Sequence, residues 1–277
     1  GRGGAPTPEE DRVTAVSGPS WLHRLGVRAG ESSLGRGAGS YGPAAQGQGA
    51  ARGAVRLPIG QGVTITGADI YRFNCQPCHR SEGTGAPPEI KSVLNAVQGS
   101  SLALVREQLA AQGKTGNAAE QAAAARADLY RRIQKGGQRM PAFEHLQRSD
   151  IDMLYAYLTE LVHTPDAKAL SSHTVSWVRL GEHLVKGTCH ICHDAAGPKP
   201  SGQALLQGAV PPLSGFLSDR SVVEVVRKAR SGAPIMMGEP PFPHRGRMPV
   251  FHYLRDEELA AAYMFLVAYP PQDAARR

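Results

Sequence analysis

The sequence predicts a mainly α-helical chain in which two similar helical units stand in tandem behind an irregular N-terminal arm. Three observations lead there. A Cys-x-x-Cys-His run occurs twice, at Cys75–His79 and at Cys189–His193. The residues flanking each run recur in the same order. Helix start and stop signals are plentiful, while no segment sustains the apolar–polar alternation of a long strand. The expected division is an irregular extension over 1–64, a first unit over 65–162, a linker over 163–173 containing Pro165, and a second unit with a short tail over 174–277.

The repeat can be followed residue by residue. Gly67 precedes Cys75 by eight positions, and Gly181 precedes Cys189 by eight. Ala68–Tyr71 and Glu182–Val185 each read as the end of an amphipathic helix leading into the cysteine motif. Pro87-Pro88-Glu89-Ile90 resembles Pro211-Pro212-Leu213. At the C-terminal ends, Met140-Pro141-Ala142-Phe143 pairs with Met248-Pro249-Val250-Phe251. Leu146 then matches Leu254, Asp150 matches Glu258, Tyr155 matches Tyr263, Tyr157 matches Phe265 and Leu158 matches Leu266. The starts are offset by 114 positions and the ends by 108, so the loops between differ in length.

Local signals fill in the elements. Ala118–Lys135 is Ala-rich and strongly helix-forming. Ser221–Glu224 is a capping box, Ser149–Asp152 is a similar start, and Gly113, Gly136 and Gly232 are candidate stops. Tyr71, Tyr155 and Phe143, with Val185, Tyr263 and Phe251, are expected to pack helices, and Met153 and Met264 to fill core. Gly30–Gly53 is Gly/Ala/Ser/Arg-rich and too poor in large apolar groups to build a core. The patch around Trp21 before it suggests either a disordered leader or an arm that orders against another subunit.

Composition narrows the function. The net charge is +7, with 20% charged residues, but no cluster of five or six basic side chains. No nucleic acid is therefore expected as a partner; an acidic protein partner or an anionic membrane surface suits the balance better. The longest apolar run, Leu259–Tyr269, is about half a membrane span, so no transmembrane segment is expected. The chain begins at Gly1 rather than Met, which fits a product whose signal or anchor has been removed.

The chemistry lies in the cysteines. Cys75, Cys78, Cys189 and Cys192 are the only four, and each pair is followed at once by a histidine, His79 or His193. That is the attachment sequence of c-type haem. Two thiols about one helical turn apart add to the two vinyl groups, and the next residue supplies an imidazole to the iron. A four-cysteine zinc site brings its pairs much closer in sequence, and a thioredoxin-like Cys-x-x-Cys explains neither the duplication nor the histidines. Two covalently attached haem c groups are expected, with Cys75, Cys78, His79, Cys189, Cys192 and His193 binding them. No cysteine is left over, and maturation outside the cytoplasm follows.

With these motifs on the page, residues 65–162 and 174–269 resemble class I cytochrome c in a dihaem tandem. The resemblance implies His79 and His193 as proximal iron ligands and a methionine as the distal ligand in each unit. Met140, in a loop after Gly136, fits the first, although 61 positions separate it from His79, more than the compact pattern has. Met248 fits the second through the register of Pro249, Phe251 and Leu254. Met236, Met237 and His244 remain competitors, because Met236 lies four residues after Gly232 as Met140 lies four after Gly136. His190, inside the second cysteine motif, and His183, on the helix before it, are poorly placed to cross to the distal face, and His145, His163, His173 and His252 read as surface or hydrogen-bonded histidines.

The resulting expectation is a dihaem electron-transfer protein, periplasmic or otherwise exported, with a redox-protein donor and acceptor and no catalysis of its own. A larger membrane-associated respiratory or photosynthetic complex, contacted by the N-terminal arm, is the expected setting. The alternative is a dihaem peroxidase or small-molecule dehydrogenase with one open haem iron, located around Glu239 and His244.

Overall fold

Thr66 and Asp69 start the first unit. The Thr66 side chain accepts from the Asp69 backbone while Asp69 accepts from the Thr66 backbone, a reciprocal cap that satisfies two orphan donors of a helix N-terminus. In the computed structural model, which describes residues 12–18, 61–206, 209–232, 236–237, 242–243 and 248–273, the chain divides into two compact units. One is Thr64–Thr174. The other is Val175–Arg277 joined by residues 12–18. Trp21, His23, Glu239, His244 and Arg247 lie outside the described residues, and of Met236 and Met237 only the backbone is described.

The first unit runs β1 (Val63–Thr66), α1 (Gly67–Asn74), α2 (Gln76–His79), α3 (Leu94–Gln98), α4 (Leu102–Ala111), α5 (Ala118–Lys135), α6 (Arg148–Leu161) and β2 (Ser172–Val175). It is mainly α, and its two short strands pair at its two ends. The repeat reading makes Ala68–Tyr71 the end of a helix. They are instead its first turns, because the cap places the start at Gly67. Likewise α6 begins at Arg148, not at Ser149, because Gln147 and Asp150 form the box there. The Ala-rich stretch is the full length of α5, which ends on Gly136 at φ 72°, a left-handed position that glycine adopts without strain. The stretch 163–173 is tied into this unit: the carboxylate of Asp166 accepts from Leu102 N–H (2.9 Å) and from the Ser101 hydroxyl at the start of α4.

In the second unit, α7 (Trp177–Gly187) leads to a single 3-10 turn at Cys189–Ile191. There follow α8 (Gly202–Leu206), α9 (Ser214–Asp219), α10 (Val222–Ser231), the small hairpin of β3 (Met236–Met237) and β4 (Phe242–Pro243), and α11 (Asp256–Ala268). The Ser221–Glu224 box starts α10 as expected, and Gly232 (φ 69°) ends it. Among the described residues no helix is long and apolar enough to cross a membrane.

Each unit is built on one helix crossing in which a glycine touches backbone. A Cβ on Gly67 would lie 2.1 Å from the Met153 carbonyl oxygen and 2.9 Å from Tyr157 Cβ. A Cβ on Gly181 would lie 2.1 Å from the Ala261 carbonyl oxygen and 2.9 Å from Phe265 Cβ. Met153 and Ala261, like Tyr157 and Phe265, are 108 positions apart, the offset of the sequence repeat. Around these crossings lie the cores. In the first unit the core holds Ile70, Phe73, Ile151 and Leu154, in the second Leu180, Leu184, Leu259 and Phe265, all under 5% exposed. Tyr71, Tyr155, Phe143, Val185 and Met153 are buried with them, whereas Met264, Tyr263 and Phe251 are only half-buried.

A 2.1 Å approach cannot absorb a methyl group, so the helices must part. Gly67→Ala and Gly181→Ala are each expected to destabilise the protein by about 2–4 kcal/mol, read as a lower midpoint in urea unfolding. A midpoint within error of the wild type would remove the close approach as the organising contact.

Candidate haem sites

The first site begins where α1 hands over to α2. His79 N–H donates to Cys75 O (2.8 Å), and Cys78 N–H to the same oxygen (3.1 Å), so both thiols and the imidazole hang on one turn. The Tyr71 hydroxyl donates to Arg80 O (2.6 Å), and Gly85 N–H to His79 O (3.0 Å), pinning the chain beyond the histidine. His79 Nδ1 lies 3.0 Å from Lys91 O. A carbonyl only accepts, so Nδ1 carries the proton and Nε2 keeps its lone pair. Burial holds the His79 pKa below its ordinary value, outweighing the Lys91 carbonyl, and the neutral ring is the form that binds a metal.

The second site has the same parts. His193 N–H donates to Cys189 O (3.0 Å) and Cys192 N–H to the same oxygen (3.2 Å). His193 Nδ1 donates to Pro211 O (2.7 Å), in the Pro-Pro-Leu segment that the repeat pairs with Pro87–Ile90. The Phe216 ring meets the imidazole edge-on at 4.9 Å. His190 turns away to donate to His193 O (2.8 Å).

None of the four cysteines is in a disulfide. Burial, with Cys78 nearby, pushes the Cys75 thiol up to about 12. Burial beside Cys192 pushes Cys189 to about 12, and burial pushes Cys192 to about 11. A thioredoxin-like redox Cys-x-x-Cys needs the opposite, a lowered thiol pKa. Unbridged thiols one turn apart, beside an imidazole with Nε2 available, fit covalent attachment of haem with the histidine within reach of its iron.

The two methionine loops are also alike. After Gly136, Gly137 N–H donates to Met140 O (2.9 Å), and Phe143 N–H returns to Ile133 O on α5 (2.9 Å). After Gly232, Phe251 N–H returns to Ala229 O on α10 (3.0 Å). Leu146 and Leu254 N–H donate to the carbonyls of Phe143 and Phe251 (3.0 and 3.1 Å). Met140 and Met248 are both half-buried, with Pro141 and Pro249 after them, and Arg139 is exposed.

The other histidines are occupied or remote. His145 Nε2 bonds Asn74 Oδ1 (2.9 Å), His173 lies 3.3 Å from the buried Asp150 carboxylate, and His183 is wholly buried on α7. Sequence reasoning missed the second unit's ion network: buried Arg179 pairs with buried Glu182, which Lys186 also reaches at 2.6 Å. The i, i+3 and i, i+4 spacing on α7 was the available signal.

The family model for cytochrome C oxidase, cbb3-type, subunit III matches residues 63–158. Comparison with curated proteins and with solved structures gave no match. The match supports a c-type cytochrome over this stretch; domains of that kind carry covalently bound haem c and exchange electrons with redox partners.

The cap that starts α1 sets the pH behaviour of the first site. Burial opposes ionisation of Asp69, but hydrogen bonds from Arg72 and Thr66 outweigh it and hold the carboxyl below its ordinary 3.8. A lowered folded pKa contributes stability that is present above 3.8 and lost as pH falls through the folded value. Asp69→Asn is therefore expected to flatten the acid limb of the stability curve below pH ~4, measured as melting temperature against pH, with little change in that slope at neutral pH.

Proposed function

We propose that the chain is a dihaem electron carrier, exported to the periplasm or an equivalent compartment, that passes electrons between a donor and an acceptor protein of a membrane-associated respiratory complex. The observation that carries it is the duplicated frame. The glycine crossing and the Cys-x-x-Cys-His turn recur in the second unit at the offsets of the sequence repeat, and the imidazole again donates to a backbone carbonyl and the Met-Pro loop again returns to the preceding helix, from partners at other spacings. The matched family, an oxidase subunit, supports the respiratory setting.

In this reading Cys75 and Cys78 hold one haem covalently and Cys189 and Cys192 the other. His79 with Met140, and His193 with Met248, supply the axial ligands. Haem bound in this way supplies one-electron redox chemistry, and thioether ligation raises its potential. The protein orients each imidazole through its Nδ1 donor bond, excludes water with the buried helix crossing, and ties each methionine loop to the preceding helix. A carbonyl partner cannot take the Nδ1 proton, so oxidation and reduction leave the ligand's protonation unchanged. No side chain has to move a proton.

Haem quantification of the mature protein is expected to give two haems per chain, falling to one in Cys75→Ser/Cys78→Ser and to one in Cys189→Ser/Cys192→Ser. The oxidised protein is expected to show a methionine–iron charge-transfer band that falls by about half in Met140→Ala and again in Met248→Ala. Carbon monoxide is expected to bind neither haem in the wild type. Binding to one haem would replace the carrier with the peroxidase or dehydrogenase reading.

A further inference from the structure

Residues 12–18 run in extended form along the second unit. Thr14 N–H donates to Glu182 Oε1 (3.0 Å), and Lys186 Nζ donates to the Thr14 hydroxyl (2.7 Å). This joins the segment to the buried Arg179–Glu182–Lys186 network of α7. Val16 is 1% exposed. Ser17 pairs in parallel with Gln272, whose N–H donates to Val16 O (2.9 Å), so the segment also holds the tail beyond α11.

The last contact reaches the site. Ala195 N–H donates to Gly18 O (3.2 Å), while Ala195 O accepts from Ser214 N–H (3.0 Å), and Leu213 N–H donates to Asp194 O (2.8 Å). The segment therefore backs the short stretch after His193, and that stretch holds the loop whose Pro211 carbonyl fixes the imidazole. The first unit secures the corresponding place differently, by the Tyr71 hydroxyl on Arg80 O. The residue that the repeat sets opposite Tyr71 is Val185, which has no hydroxyl to offer.

We propose that residues 12–18 are a strap belonging to the second haem site, a positioning element that orients His193 through Ala195 and the Pro211–Ser214 loop. The N-terminal arm thus serves this chain's own proximal ligand, and the groove bounded by α7, Ala195 and Gln272 is a peptide-docking groove whose occupant is residues 12–18. The claim about His193 rests on the dihaem reading above; docking of the strap does not.

The test uses the full haem-loaded chain with a site-specific protease sequence inserted between Ala38 and Gly39. After cleavage, the N-terminal fragment is expected to co-elute with the haem-bearing body in gel filtration. Val16→Asp places a charge at a buried position and is expected to lower the retained fraction about tenfold or more. Thr14→Val, a milder change, is expected to lower it less. Val223→Asp, the same exchange at an exposed position on α10, serves as control and should retain the fragment. In uncut Val16→Asp, the low-spin electron paramagnetic resonance signal of the second haem should shift while that of the first stays fixed, which also shows that the chain has folded. Release of the wild-type fragment on cutting, or full retention in Val16→Asp, overturns the strap. Loss of retention with the second haem's signal unmoved overturns the positioning role. A wild type carrying one haem defeats the dihaem reading instead, and leaves the retention assay to decide docking.

Discussion

Everything in either unit hangs on a backbone-to-backbone contact that only glycine permits. Gly67 sits against the Met153 carbonyl and Gly181 against that of Ala261, at a distance where any side chain would collide. This contact draws the helix that ends in the cysteine motif onto the helix that follows the methionine loop. The cysteine turn and the methionine loop are thereby brought onto one crossing, with buried aliphatic and aromatic groups closing around it. Loops between the two helices can then vary without disturbing the frame. The first unit carries α4 and a longer α5 there, with their own small cluster of Val105, Ala118 and Ala122, and the second carries the β3–β4 hairpin after the shorter α10.

The histidines show how little chemistry the protein needs beyond this frame. One hydrogen bond from each Nδ1 to a carbonyl selects the tautomer and aims the ring. Desolvation keeps the His79 ring neutral. Burial raises the free thiols of Cys75, Cys189 and Cys192. That contrasts with the low-pKa thiols of a disulfide exchanger.

Much of this was legible in the sequence because the signals are local. The two Cys-x-x-Cys-His turns, the α5 helix over Ala118–Lys135 and the Ser221–Glu224 cap depend on neighbours within four residues. The mainly α character followed from the same signals. Helix starts were less legible: Gln147, an unusual cap residue, displaced the expected start at Ser149, and the Thr66–Asp69 box was overlooked. The strap could not be read at all. Its partners Glu182, Lys186, Ala195 and Gln272 lie far along the chain, and no periodicity marks a seven-residue segment that docks by backbone bonds, one threonine and one valine.

That separation has a consequence for how the molecule is assembled. Thr14 and Glu182 are 168 positions apart, and Gln272 lies later still. A segment near position 14 thus closes on partners from three distant stretches of the second unit. Contacts of such long range form slowly, because a large loop must be closed before they return any stability. The strap is thus expected to dock late, after the helices that line its groove have formed.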